Sequence, residues 1–198
     1  MKIHFIRHWR TEANLTGKMA QNYDEADIIK DYPEGWNEKV GKYLPLPLNG
    51  SNTLVISSPA KRCQQTCKLV FGFEPAMINQ TFGEFDCAAL GDRKFWEMTR
   101  DEFEKLVPLT PFDMQNRAEE IRKCMHQFKN LHYEHVIIFT HGMLIRYMYH
   151  FINHNPNISA YDVINSNGFE FSNLDLMTWD LETMKTEVHR YDDKKMVC

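Results

Sequence analysis

The stretch KIHFIRHWR, residues 2–10, decides the fold: an apolar run from Ile3 to Ile6, broken only by His4, stops abruptly at Arg7-His8. Two other runs have the same shape. Thr53 to Ile56 ends at Ser57-Ser58-Pro59, and Val136 to Phe139 ends at Thr140-His141-Gly142. Short apolar runs closed by polar clusters read as buried strands. Helical patterns follow the second and third runs, at Ala60 to Phe71 and Met143 to Ile152, and a longer one from Pro111 to Leu131 feeds the third. Strands alternating with helices imply right-handed crossovers, hence an α/β fold: a three-layer α/β/α sandwich with a mostly parallel central sheet. FEFSNLDLMTWD, Phe169 to Asp180, alternates as an edge strand or hairpin and offers a dimer seam. Asn14 to Asn52 and Glu74 to Pro108 read as loops with short helices.

The whole chain is consistent with one domain over residues 1–198, with a tail after about residue 191 expected to fray. Hydrophobic residues make up 43% and charged residues 25%, ordinary values for a globular protein. A net charge of −4 provides no basic field for a nucleic-acid backbone. Five cysteines without a CxxC pair read as reduced thiols of a cytoplasmic protein, and Cys63 and Cys67 as packing residues on one helix face. MKIHFIRHWR lacks the apolar core of a secretory signal, and no run reaches membrane-spanning length, so a cytoplasmic protein without membrane association is expected. No cofactor or metal is expected, and the oligomeric state is monomer or homodimer.

In open α/β sheets ligands bind beyond the carboxyl ends of the strands. Those ends carry Arg7-His8, Arg62 just inside a helix, and His141. Two histidines and two arginines together suit a phosphoryl group: guanidinium forks match phosphate oxygens, and helix starts such as those after Ser57-Ser58-Pro59 and at Gly142 add N–H donors.

These elements, RHWRTEAN, SSPAKRCQQT, GEFD and FTHGMLIR, occur in the order of the motifs of the histidine phosphatase (phosphoglycerate mutase-like) superfamily, which the chain resembles over nearly its whole length. The resemblance implies metal-independent phosphomonoester hydrolysis through a phosphohistidine, acting on a small phosphorylated metabolite. It assigns His8 as nucleophile, Arg7, Arg62 and His141 to the phosphate pocket, and Glu84 as the acid that protonates the leaving oxygen, with Asp86 as rival. Asn14 falls on a phosphate-contacting position and Thr11 on the motif threonine; Arg117 and Arg146 take structural positions. Trp9 stands where the family has glycine, beside His8, and is placed to line the substrate entrance. Arg10 adds charge near the mouth; Arg10, Lys18 and Lys61 each read first as solvated surface charge, with selection of a multiply charged phosphate as the alternative. The short chain favours a hydrolase over a mutase or phosphotransferase. From another class comes a catalytically weak member that binds phosphorylated ligands or a partner. His4, inside the first strand, reads as a satisfied core or edge histidine.

Overall fold

The computed structural model describes residues 1–16, 23–32, 35–44, 52–91, 93–94, 97–154, 156–166 and 171–191. The expected strands form as β1 (Lys2–Arg7), β2 (Thr53–Ser57) and β4 (His135–Thr140), joined by a two-residue β3 (Met77–Ile78). The last two are β5 (Leu176–Asp180) and β6 (Lys185–His189). Sheet order is β3-β2-β4-β1-β5-β6. Neighbours from β3 through β1 are parallel, whereas β5 runs antiparallel to β1 and β6 antiparallel to β5.

One face of the sheet is covered by α4 (Arg100–Leu106), α5 (Pro111–Asn130), α6 (Gly142–Asn153) and α7 (Ala160–Asn165). Met114, Ala118, Ile121, Met125 and Phe128 of α5 are buried at spacings of three and four, the stripe of a helix lying on a sheet. Thr110 and Asp113 form a capping box and Pro111 occupies the first turn, where its missing N–H costs nothing. The opposite face packs Ile6, Val55, Ile137 and Phe139 against α2 (Trp36–Gly41) and α3 (Lys61–Phe71). Gly72, at φ 77°, closes α3 in the left-handed conformation that glycine adopts freely. Two buried cores on either side of one sheet make the three-layer α/β/α sandwich.

Of the two readings of the late alternating segment, edge strand or hairpin, the structure has the hairpin. β5 begins only at Leu176 and lies inside the sheet, paired on both sides, because its hairpin partner β6 takes the edge. The dimer seam assigned to that segment is therefore occupied within the chain. Phe169, Lys18, Trp96 and the tail beyond Tyr191 lie outside the described residues. Among those described, no helix is long and apolar enough to cross a membrane.

Candidate active site

β1 and β4 are paired in register so that Arg7 lies opposite Thr140. The ladder continues one residue further, with the His8 N–H donating to Thr140 O at 2.9 Å and the Ser58 N–H to Phe139 O at 2.9 Å. The carboxyl ends of three strands are thereby level, and α3 and α6 start beside them. This geometry brings His8, His141, Arg7 and Arg62 together. The two imidazole centroids are 5.4 Å apart with planes inclined by 64°.

His8 hydrogen-bonds through Nδ1 to the main-chain carbonyl of Trp9 at 2.6 Å. A carbonyl oxygen only accepts, so Nδ1 carries the proton and Nε2 is left with its lone pair. Burial pulls the His8 pKa well below its usual 6.5, the Arg62 and Arg7 guanidiniums add to this, and the Trp9 carbonyl opposes it. His141 is lowered in the same way, by burial first and then by Arg62, His8 and Arg7. It accepts from Arg62 Nη2 at Nδ1 (3.0 Å) and meets Ser58 Oγ at Nε2 (2.8 Å), an arrangement that makes Nε2 the donor to the serine.

Arg62 is a fully buried guanidinium. Arg7 donates through Nη1 to Phe171 O, while its buried Nε has no partner among the described residues. Gly142 lets it approach closely: a Cβ there would lie 3.0 Å from Arg7 Nε and 3.2 Å from Cζ, tighter than most carbon contacts, so the Arg7 side chain would have to give way.

Glu84 lies across the start of α6. Its carboxylate accepts from the N–H groups of Phe85 (3.1 Å), Met143 (3.3 Å) and Leu144 (3.2 Å). Burial raises its pKa from 4.5, against the pull of those donors and of Arg62 and Arg7. The segment carrying it is fixed by Thr140 Oγ1 donating to Phe82 O at 2.6 Å and by Arg117 Nη1 donating to Thr81 O at 3.3 Å. Asp86 is exposed. Arg146 ties α6 to α7 by donating to Ile164 O at 2.8 Å.

Trp9 is not at an entrance. Its ring is 3% exposed and packs in the core beneath α2 and α3, with the indole N–H donating to Ile29 O at 3.1 Å. A large apolar ring gains more from burial than from exposure at a polar mouth, and the second core accommodates it. What faces the site is its backbone, whose carbonyl accepts the hydrogen bond from His8 Nδ1 and whose N–H donates to Thr66 Oγ1 at 2.8 Å. Arg10 is committed to Asp31, with Nε to Oδ1 at 3.1 Å, and lies over the Trp9 ring at 5.2 Å. Asn14 uses its amide oxygen to accept from Thr11 N (3.0 Å) and Thr11 Oγ1 (3.2 Å), leaving it the Nδ2 donors.

Residues missed by the sequence reading hold this assembly in place. Thr66 closes the SSPAKRCQQT motif and was legible there as a hydroxyl one turn after Arg62, to whose carbonyl it donates at 2.6 Å. Ser58 was read for its turn and not for its hydroxyl. Asn173 and Asp175 carried no usable signal, because they meet the first strand from the far end of the chain.

Solved structures share this fold. The phosphoserine phosphatase of Entamoeba histolytica in complex with phosphoserine matches with a TM-score of 0.70 at 16% identity, covering 94% of each chain. The alpha-ribazole phosphatase of Shigella flexneri matches with a TM-score of 0.63 at 16% identity over 96% of this chain and 95% of that one. A mycobacterial glucosyl-3-phosphoglycerate phosphatase complexed with VO3 matches with a TM-score of 0.57 at 13% identity over 96% and 97%. A sequence search of curated proteins finds no match. The profile of the histidine phosphatase superfamily (branch 1) matches residues 3–193, and with nearly its whole length covered the chain belongs to that superfamily.

Proposed function

We propose that this protein is a metal-independent phosphomonoester hydrolase that works in two steps through phospho-His8 on a small phosphorylated metabolite. The observation that carries the reading is the His8 Nδ1 to Trp9 O hydrogen bond at 2.6 Å, which fixes the tautomer with Nε2 as the nucleophile. Nε2 attacks phosphorus while the bond to the alcohol oxygen breaks, and Glu84, protonated at the outset, gives its proton to that oxygen. Water then attacks the phosphohistidine, Glu84 takes a proton from it, and inorganic phosphate leaves with His8 restored. Arg7, Arg62, His141 and the Gly142 N–H stabilise charge on the equatorial oxygens, the largest contribution a phosphoryl-transfer site makes. The superfamily membership supports this reading, as do structural relatives whose names are those of phosphatases.

The test is hydrolysis of a chromogenic phosphomonoester with chelator present, wild type against His8→Ala, together with trapping of an acid-labile phosphoprotein. Chelator-resistant turnover and label, both lost in His8→Ala, are expected. Phosphate binding without turnover by the wild type would replace the hydrolase by a ligand-binding member. A phosphoenzyme that persists until an acceptor is added would replace it by a phosphotransferase.

A further inference from the structure

The phosphate pocket is basic, yet a carboxylate borders it. Two cations on neighbouring segments already have carboxylate partners: Arg10 is paired with Asp31, and Lys61 Nζ sits 2.9 Å from Asp27 Oδ1. Among the described residues, Asp24 is the carboxylate within ion-pair distance of Arg62. Its carboxylate is 3.8 Å from Arg62 Nη1, and its side chain is 73% exposed whereas that of Arg62 is 0% exposed. Asp24 therefore touches the phosphate-binding guanidinium with one face and solvent with the other.

This placement is built into the fold. Asp24 lies on a single helical turn, Tyr23–Glu25, packed on α3, the same helix that carries Arg62. The chain after that turn is clamped to α3 by Ile28 N–H donating to Gln65 Oε1 at 2.9 Å and by the Lys61 to Asp27 pair. It is clamped to the β1 end by Ile29 N–H donating to Arg10 O at 3.0 Å and by a bridge between Thr11 and Ile28. Because Asp24 lies 3.8 Å from Arg62 Nη1, a phosphate held by that nitrogen has the Asp24 carboxylate as a neighbour.

Resting on the phosphohydrolase reading, we propose that Asp24 is the specificity residue of this site, selecting phosphomonoesters whose alcohol carries a cation, such as an ammonium, near the phosphate. A carboxylate beside the phosphate attracts that cation and repels a second anion, so preference and rejection come from one charge. Its exposure limits the effect to about fivefold per unit of ligand charge.

Three ligands of similar size separate the cases: phosphoethanolamine, propyl phosphate and phosphoglycolate, with a cationic, a neutral and an anionic tail. Their dissociation constants would be measured by calorimetry in His8→Ala and in His8→Ala/Asp24→Asn. The expected order is phosphoethanolamine tightest and phosphoglycolate weakest, about fivefold between neighbours, with the spread collapsing in the double variant and shrinking at high salt. An equal shift of all three on Asp24→Asn would make Asp24 a mere cover for Arg62 and overturn the proposal, as would an unchanged order. Absence of binding by all three would overturn the phosphate-site reading as well, which distinguishes the two failures. The kcat/KM ratios for the three ligands, wild type against Asp24→Asn, give the same comparison without relying on His8→Ala.

Discussion

Asn173 donates from Nδ2 to the main-chain carbonyl of His8 at 2.8 Å, across 165 residues of sequence. Around it the Leu174 N–H donates to Arg7 O at 3.0 Å and the Arg7 N–H to Asp175 O at 3.1 Å, so the turn before β5 grips the end of β1. Leu174 takes φ 65° to make this turn, and the buried Asp175 carboxylate holds it by accepting from Ser172 N (2.7 Å), Tyr191 N (2.8 Å) and Arg190 Nη1 (2.8 Å). On the proposed mechanism Asn173 is a positioning residue, since its bond to the His8 carbonyl fixes where the proposed nucleophile stands. Asn173→Ala should lower kcat about 10- to 100-fold with KM little changed, since misplacing a reacting group by about 1 Å costs that much. Asn173→Asp, which keeps the size and loses the donor, should be no better. Full activity in Asn173→Asp would show that the side chain serves packing alone.

On the proposed mechanism Glu84 and His8 set opposite limbs of the pH profile. His8 must be neutral, and because burial lowers its pKa from 6.5, the acid limb falls below that value. Glu84 must be protonated, and because burial raises its pKa from 4.5, the alkaline limb moves up from there. Glu84→Gln should remove the alkaline limb and reduce kcat on alkyl phosphates about 10²- to 10⁴-fold, with a much smaller loss on nitrophenyl phosphate, whose leaving group needs no proton. Asp86→Asn should leave both substrates unaffected. An equal loss on both substrates in Glu84→Gln would assign Glu84 to the α6 start and not to proton transfer.

The strands and the motif residues were legible because both are local. The three apolar runs stop at polar residues where β1, β2 and β4 stop, and Thr110-Pro111 announces α5. His4 read as a core or edge histidine, and it is buried with Nδ1 at 3.0 Å from Thr178 Oγ1 and Nε2 at 3.1 Å from His135 Nδ1. What the sequence hid depends on partners far along the chain. Trp9 sits beside His8 in sequence, yet its ring turns into a core completed by Tyr32 and Tyr191. Arg10 reads as a free charge until Asp31 is brought to it by the pairing of Thr11 with Ile28. β5 reads as an edge or a hairpin strand until β6 closes the hairpin.

The same buried His4 predicts acid sensitivity of the fold. Burial, with His135 and Lys2 adding, lowers its pKa from 6.5 to about 3. A base whose folded pKa lies below its unfolded value contributes stability that is complete above the unfolded pKa of 6.5 and is lost as pH falls toward 3. The full span is worth on the order of 4 kcal/mol, about half of it lost by the middle of that range. His4→Gln, which retains hydrogen-bonding capacity without a titrating ring, should lose less stability than wild type between pH 7 and 4.5 in urea titrations. His8 and His141 titrate in the same direction in both proteins, so the difference reports His4. Parallel loss in the two would refute the assignment.

Gly142→Ala isolates the Arg7 guanidinium from the stability of the fold. Alanine is the better helix former, and Gly142 opens α6, so the backbone itself favours the change. The obstacle is local: the new Cβ would stand 3.0 Å from Arg7 Nε and 3.3 Å from Cδ, and the side chain must move off the start of α6. The donors Arg7 aims at a bound phosphoryl group then shift by a few tenths of an ångström or more. We expect kcat/KM to fall about tenfold or more, because oriented donors act only at the position where charge develops. The thermal midpoint should change little, and the affinity for vanadate, a mimic of the pentacoordinate state, should fall in step with kcat/KM. If vanadate binding and turnover both survive Gly142→Ala unchanged, the position of Arg7 over that glycine has no bearing on the chemistry.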